Sequence, residues 1–175
     1  MKPAVFLDRD GVVNEERSYV RKIEDFVIFP YVRECIKQVH KKGYLAIVLS
    51  NQSGVARGYM SLQIVNEIHA YLIEQTGIDK VYCCPHYEDG IIKEFAIKCD
   101  CRKPKTGMIK QARSDFDIDM SKSVVVGDRA SDIMMGKNAG IRTVLLESGY
   151  GLKRLEQNIR PDYVLNDLRD VLTIL

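Results

Sequence analysis

At 175 residues the chain has the length of one domain, expected to span residues 1–175, and can bury most of its apolar surface. Its composition, 46% hydrophobic and 29% charged, is ordinary for a globular protein and argues against disorder. The formal net charge is only +2, with acids and bases interleaved, so there is no footprint for nucleic acid or an anionic membrane; any phosphate recognition must come from a local site.

In chain order, Ala4-Val5-Phe6-Leu7 is a continuous apolar run that ends at Asp8-Arg9-Asp10-Gly11. At about five residues the apolar stretch at this end is too short for a secretory signal or a membrane span, and a cytoplasmic protein is expected. Val32, Cys35, Ile36 and Val39 share one helical face, with Gly43 placed to end the helix. A second apolar run, Tyr44 to Leu49, ends at Ser50-Asn51-Gln52-Ser53-Gly54. Helical spacing returns at Ile64, Val65, Ile68, Leu72 and Ile73, with Ser61 as N-cap and Gly77 as stop. Within it His69, like His40 before it, reads as an ordinary helix residue. Lys80-Val81-Tyr82 leads into the cysteines. Val124-Val125-Val126 ends at Gly127-Asp128-Arg129, a third helix begins behind Ser131, and Thr143 to Leu146 forms another apolar run. Continuous apolar runs suit strands buried on both faces. Their alternation with helices predicts a doubly wound α/β (Rossmann-like) parallel sheet with helices on both faces. Ligands of such sheets sit beyond the carboxyl ends of the strands.

The polar residues at those ends are of one chemical kind. Asp8, Asp10 and Asp128 supply carboxylates, Ser50 a hydroxyl beside a Gly-bearing turn, and Lys103, in Arg102-Lys103-Pro104, an ammonium. Hard oxygen ligands suit Mg²⁺, and the metal with Lys103 would neutralise a transferring phosphoryl group. A carboxylate is a competent nucleophile for that group, and Asp10 is spaced to protonate the leaving oxygen and then deprotonate water. Asp132 either supports Asp128 or begins a helix as an acid in its first turn. Arg57 reads equally as a substrate contact or a surface residue.

Five cysteines are present, four of them between residues 83 and 101. Cys84, His86, Cys99 and Cys101 form a closed Cys₃His set, which would make a structural zinc site. The spacings are tighter than in zinc fingers and leave free buried thiols or redox chemistry open. Cys83 would point away from Cys84 on a strand, and Cys35 lies on a helix's apolar face.

The segments FLDRDGVVN, VLSNQSGVARG, CDCRKPKTGM and VVVGDRASDIMMGKNAG, in this order, resemble the motifs of the haloacid dehalogenase (HAD) superfamily of phosphatases. Within it the chain is similar to the heptose-1,7-bisphosphate 7-phosphatases and the related histidinol-phosphatases, from Phe6 to about Ala139. The resemblance implies that Asp8 is the nucleophile and a Mg²⁺ ligand. Asp10 is then the general acid/base and offers a backbone carbonyl to the metal, and Asp128 is the acidic metal ligand. It implies that Ser50 and Lys103 hold the phosphoryl group, with Asn51, Gln52 and Ser53 completing the phosphate loop. Arg102 and Arg129 contact substrate, and the Glu16, Arg17, Ser18 and Tyr19 segment faces the sugar. It implies zinc on Cys84, His86, Cys99 and Cys101. Ser50 stands where many relatives have Thr, Arg129 where they often have Lys, and Thr106 where they commonly have Pro.

The expectation is therefore a phosphomonoesterase using Mg²⁺ and a structural Zn²⁺, acting through an aspartyl-phosphate. Its substrate would be a heptose bisphosphate on the route to ADP-heptose and lipopolysaccharide, with histidinol phosphate or another small phosphate as the alternative. About forty residues separate Asp10 from Ser50, too few for a separate cap domain beside the helix already there. The zinc loop, about 84–101, and the Glu16–Tyr19 segment should wall an open site. A monomer without nucleic-acid or membrane partners is expected. A non-catalytic zinc-stabilised interaction module is the remaining reading from another class.

Overall fold

The computed structural model describes residues 1–151 and 158–175. Its elements are β1 (Ala4–Leu7), a 3-10 turn (Ile23–Asp25), α1 (Val32–Lys41), β2 (Leu45–Asn51), α2 (Leu62–Thr76), β3 (Lys80–Cys84), α3 (Gly107–Asp115), β4 (Val124–Gly127), α4 (Ala130–Asn138), β5 (Arg142–Leu146), β6 (Tyr163–Leu165) and α5 (Leu168–Val171). The six strands form one sheet in the order β3-β2-β1-β4-β5-β6, and every pairing is parallel.

Each apolar run fills two cores at once because successive strand side chains alternate between faces. Val5 and Leu7 of β1 join Ala46 and Val48 of β2 in a core with α1, α2 and α5, through Ile36, Val39, Ile68, Leu72 and Leu168. Ala4 and Phe6 join Ile47 and Leu49 on the opposite face, against Met108, Ile109 and Ala112 of α3 and Met135 of α4. All four β1 side chains are therefore buried, as a continuous apolar run requires.

The limits of α2 follow their predicted signals, whereas α4 starts at Ala130 with Arg129 as N-cap, so that Ser131 lies inside its first turn and not before it. Ser61 Oγ accepts the Ile64 amide hydrogen at 3.2 Å, and Gly77 closes α2 at φ +80°, donating its N–H to the Ile73 carbonyl. β2 runs two residues past the expected end, since Ser50 and Asn51 pair with Cys83 and Cys84. Among the described residues, four elements are additional to the sequence reading: the 3-10 turn, α3, β6 and α5. β6 is an edge strand whose apolar run, Tyr163-Val164-Leu165, is only three residues long and largely exposed, too short to stand out as a strand.

Topology places the site. The chain winds outward through β1, β2 and β3, then returns to the far side of β1 to start β4. The switch point lies between β1 and β4, where neighbouring connections leave in opposite directions and open a crevice. Asp8 and Asp128 are the first residues beyond those two strands. No separate cap occurs among the described residues. Residues 8–31 between β1 and α1 form a small flap of isolated bridges and the 3-10 turn.

Candidate active site

The floor of the crevice is a buried acid cluster. One carboxylate oxygen from each of Asp8, Asp128 and Asp132 lies within 4.8 Å of the others. Asp8 is anchored as an extension of β1, its N–H donating to the Val126 carbonyl at 2.9 Å. Its Oδ1 accepts from the Arg9 amide and from Lys103 Nζ, both at 2.7 Å. Lys103 Nζ also meets Asp132 Oδ1 at 2.7 Å and donates to the Leu49 carbonyl at 2.9 Å. Its backbone is stitched to Asn51: Lys103 N–H donates to Asn51 Oδ1 at 3.0 Å, and Asn51 Nδ2 donates to the Lys103 carbonyl at 3.2 Å. Asp132, in the first turn of α4, accepts the Arg129 N–H through Oδ2 at 3.2 Å, and Asp128 Oδ2 accepts the Tyr150 N–H at 2.9 Å. The acids reach this density because glycines flank them. A Cβ on Gly11, whose φ is +85°, would fall 2.5 Å from Asp128 Oδ2, and one on Gly127 would fall 2.2 Å from the Asp132 Cβ.

Charge in this cluster is unbalanced, with three carboxylates facing one buried ammonium. Burial first, and then the Asp132 carboxylate, push Asp8 up to about 8, against the opposing pull of Lys103. Burial also raises Asp128 to about 6, although the Tyr150 N–H favours its ionised form. Burial disfavours the Lys103 charge, but Asp132 and Asp8 outweigh it and hold the group above the ordinary lysine value. Asp128 Oδ1 is buried with no hydrogen-bond partner, and the nearest cationic nitrogen, Arg129 Nε, is 3.9 Å away. A hard divalent cation fits this vacancy of charge and ligation, since it would neutralise two acids and take up the orphaned oxygen.

Asp10 stands apart from that cluster. Its Oδ1 accepts from Arg9 Nη2 at 2.9 Å and Asn14 Nδ2 at 3.0 Å; its Oδ2 accepts from Arg9 Nε and Gln52 Nε2, each at 3.2 Å. Burial works to raise its pKa, but the Arg9 charge and these four donors win and hold it below the usual carboxylate value.

The second cluster fits its expected ion as well. Cys84 Sγ lies 3.5 Å from Cys99 Sγ and 3.7 Å from His86 Nδ1, which is 3.3 Å from Cys101 Sγ. With metal–sulfur bonds of about 2.3 Å, a tetrahedral zinc requires ligand separations of roughly 3.7 Å. Cys83 stands outside the set, and Cys35 is buried in the core.

A HAD-hydrolase-like family model matches residues 100–171. The D-glycero-β-D-manno-heptose-1,7-bisphosphate 7-phosphatase of Haemophilus ducreyi is 43% identical over 97% of this chain and 96% of its own length. The chain belongs to the heptose-1,7-bisphosphate 7-phosphatase family of HAD-like hydrolases. The α-anomer 7-phosphatase of Photorhabdus laumondii is also 43% identical, over 87% of both chains. Among solved structures, the D,D-heptose 1,7-bisphosphate phosphatase of B. bronchiseptica, complexed with magnesium and phosphate, superposes with a TM-score of 0.80. It is 30% identical, with 98% of this chain and 96% of that one covered.

In this member of the heptose bisphosphatase family the cleft above the acids has a volume of about 350 Å³. Of the residues expected from sequence, Asp8, Asp10, Glu16, Ser18, Tyr19, Asn51, Gln52, Ser53, Arg102, Lys103 and Arg129 all line it. Ser50 lies just beneath, buried, accepting from Gln52 Nε2 at 2.7 Å and retaining its own proton to donate. Asp128 is also beneath the surface, as a metal ligand would be. Arg17 is not brought to the cleft. Its guanidinium is taken by Glu15, at 2.7 and 3.0 Å, on the outer side of the flap. Asp10 enters neither metal cluster through its carboxylate, which leaves only its backbone carbonyl for a cation. Asp132, left between two roles by the sequence, fills both: it joins the acids, pairs Lys103 and caps α4. Tyr150 and Ser131 line the cleft without having been singled out. Tyr150 follows a Gly-bearing segment whose approach to Asp128 is a long-range contact that spacing does not reveal.

Proposed function

We propose that the chain hydrolyses the 7-phosphate of D-glycero-D-manno-heptose 1,7-bisphosphate through an aspartyl-phosphate, supplying the monophosphate for ADP-heptose-dependent glycoconjugates. The observation that carries the chemistry is the convergence of Asp8, Lys103, Asp128 and Asp132 at the switch point, beneath a cleft walled by Arg102 and Arg129.

An Asp8 carboxylate oxygen attacks the phosphorus in line, and the bond from phosphorus to the sugar oxygen breaks. Asp10 passes a proton to that departing oxygen. Asp10 is ionised at rest, and the negative phosphate arriving beside it favours uptake of the proton it must deliver. Lys103 and Ser50, with the phosphate loop Asn51 to Ser53, hold the equatorial phosphoryl oxygens as their charge grows. Asp10, ionised again, then takes a proton from water. The water oxygen bonds to phosphorus, the acyl-phosphate bond breaks, and orthophosphate leaves with Asp8 restored. Asp8, Asp128 and the Asp10 carbonyl would hold Mg²⁺, which when bound would supply positive charge for the phosphoryl oxygens. Arg102 and Arg129 are the guanidinium groups available for the second phosphate of a bisphosphate. Zn²⁺ on Cys84, His86, Cys99 and Cys101 is structural, because a full tetrahedral set leaves no open position.

No helix among the described residues is long and apolar enough to cross a membrane. We take residues 1–175 to act as one catalytic domain, monomeric and cytoplasmic. The test is phosphate release from both heptose bisphosphate anomers and from histidinol phosphate, with Mg²⁺ and without it. Mg²⁺-dependent release from a heptose bisphosphate is expected. Release from histidinol phosphate alone would overturn the sugar assignment.

A further inference from the structure

Behind Asp10, away from the cleft, two buried polar side chains remain that the proposed mechanism does not use. Arg9 and His69 are only 2% and 6% exposed, and neither lines the cleft. A buried guanidinium is costly unless its donors are matched. Here each nitrogen has an acceptor. Nε and Nη2 grip the two oxygens of Asp10 as a fork, and Nη1 lies 3.2 Å from His69 Nε2. The Arg9 carbon lies 5.3 Å from the centre of the Phe26 ring, which covers one face of the fork. Adjacent side chains in a strand point apart, yet Arg9 and Asp10 meet side by side. The turn after β1 allows this, with the Arg9 carbonyl accepting the amides of Val12, Val13 and Asn14.

Arginine can only donate, so His69 Nε2 must accept, and the imidazole is neutral with its proton on Nδ1. Its surroundings agree: burial first, then the Arg9 charge, push the His69 pKa down to about 3. An acceptor reached from α2 thus sets the rotation of a guanidinium, whose two remaining nitrogens set the plane of the Asp10 carboxylate.

We infer that Arg9 and His69 are positioning residues of the reaction, His69 orienting Arg9 and Arg9 orienting the proton-transferring oxygen of Asp10 at the leaving group. The inference rests on the reading of Asp10 as general acid. Without the fork, Asp10 keeps only the amides of Asn14 and Gln52, one on each oxygen, and its plane is free to tilt. Proton transfer tolerates such misplacement poorly.

A buried ion pair with a purely structural role would affect every substrate alike. A positioning role lowers kcat/KM, which reports the step that expels the leaving group, only for esters whose leaving group needs a proton; the later attack of water is common to both esters and enters kcat alone. The full-length protein, loaded with zinc and assayed with Mg²⁺, is compared as parent, His69→Leu, His69→Gln and Asp10→Asn. The substrates are heptose bisphosphate and 4-nitrophenyl phosphate, whose phenolate departs unprotonated. His69→Leu is expected to lower kcat/KM for the sugar phosphate about tenfold or more through kcat, with KM within about twofold. On the aryl phosphate its kcat/KM should change less than about twofold. His69→Gln, which restores an acceptor near Nε2, should regain most of the loss. Should His69→Leu not fold, Arg9→Lys makes the same comparison, since lysine keeps the charge but lacks the fork. Equal losses on both esters, a His69→Gln variant as impaired as His69→Leu, or an intact His69→Leu beside a crippled Asp10→Asn would each overturn the inference. Full activity of Asp10→Asn on the sugar phosphate would remove the general acid itself, and the inference with it.

Discussion

The acid cluster beyond β1 and β4 and the thiol cluster in the loop after β3 each gather metal-binding groups, but in opposite settings. The acids are buried at the ends of β1 and β4 and in the first turn of α4, short of positive charge, and open through Asp8 to the cleft. The thiols and imidazole, mostly half-exposed, make up a complete tetrahedral set by themselves. A cation on the first set keeps positions for phosphate oxygens; a cation on the second keeps none. The two are nevertheless joined by covalent continuity. Arg102 and Lys103 follow Cys101 directly, and Arg102 Nη1 donates to the carbonyl of His86 at 3.3 Å. On the proposed function, the first cluster would carry the chemistry and the second would aim two of its cations.

Removing the nucleophile should separate the clusters most sharply. Asp8→Asn cannot form an acyl-phosphate, and turnover is expected to fall by about 10⁴-fold or more, with zinc content unchanged. Measurable turnover with a trapped phosphate on another residue would end the assignment.

Breaking the other cluster should cost less activity and more structure. Cys101→Ala is expected to lose zinc and lower kcat/KM about 10- to 100-fold, because Arg102 and Lys103 lose their anchor while Asp8 stays in place. Zinc analysis beside steady-state kinetics checks this. A zinc-free variant with parental turnover would show that the loop aims nothing.

The acids alone should make metal-free stability depend on pH. Asp8 is held at about 8 and Asp128 at about 6, against 3.8 for a free side chain, so the folded state binds more protons across that window. Stability must therefore fall as pH rises from 3.8 towards about 8 for Asp8 and towards about 6 for Asp128, by up to about 1.4 kcal/mol per pH unit for each group within its own window. Asp10, held below its ordinary value, contributes only at more acidic pH, where its stabilisation is lost as it protonates. Zinc-loaded protein unfolded in urea without Mg²⁺ should show the slope, and saturating Mg²⁺ should flatten it. Identical slopes in both conditions would argue that no cation binds these acids.

The order of motifs made β1 to β5, α1, α2, α4 and both clusters legible in the sequence. Continuous apolar runs ending in acids are local signals, and sheet topology carries them to one place. What escaped was set by contacts distant in sequence or by the absence of pattern. Arg17 shares its segment with Glu16, but its side chain turns outward to Glu15 instead of toward the cleft. His69 sits one residue after the apolar Ile68 at helical spacing and reads as an ordinary helix residue until Arg9 is seen against it. α3 offers only Met108, Ile109 and Ala112 as an apolar face, too sparse to stand out beside a loop of charges. Asp132 was ambiguous because one carboxylate performs both candidate tasks, capping with Oδ2 and pairing Lys103 with Oδ1.

The smallest expected effect lies at the mouth of the cleft, where charge balance differs from that of the floor. Glu16 pairs with Arg129 across the opening, its Oε1 accepts the Ser18 N–H at 2.7 Å, and Ser18 has a φ of 60°. Both partners are solvent-accessible, so the pair contributes no more than about 1 kcal/mol and is exchangeable for a ligand. A second phosphate on the substrate must win Arg129 from Glu16. Glu16→Gln should therefore lower KM for the bisphosphate by up to about fivefold, which is what 1 kcal/mol allows. KM for a heptose 7-phosphate lacking the second group should stay unchanged. If KM instead rises for both substrates alike, Glu16 is accepting hydrogen bonds from sugar hydroxyls, and the mouth reads the sugar ring where Arg129 was assigned to read charge.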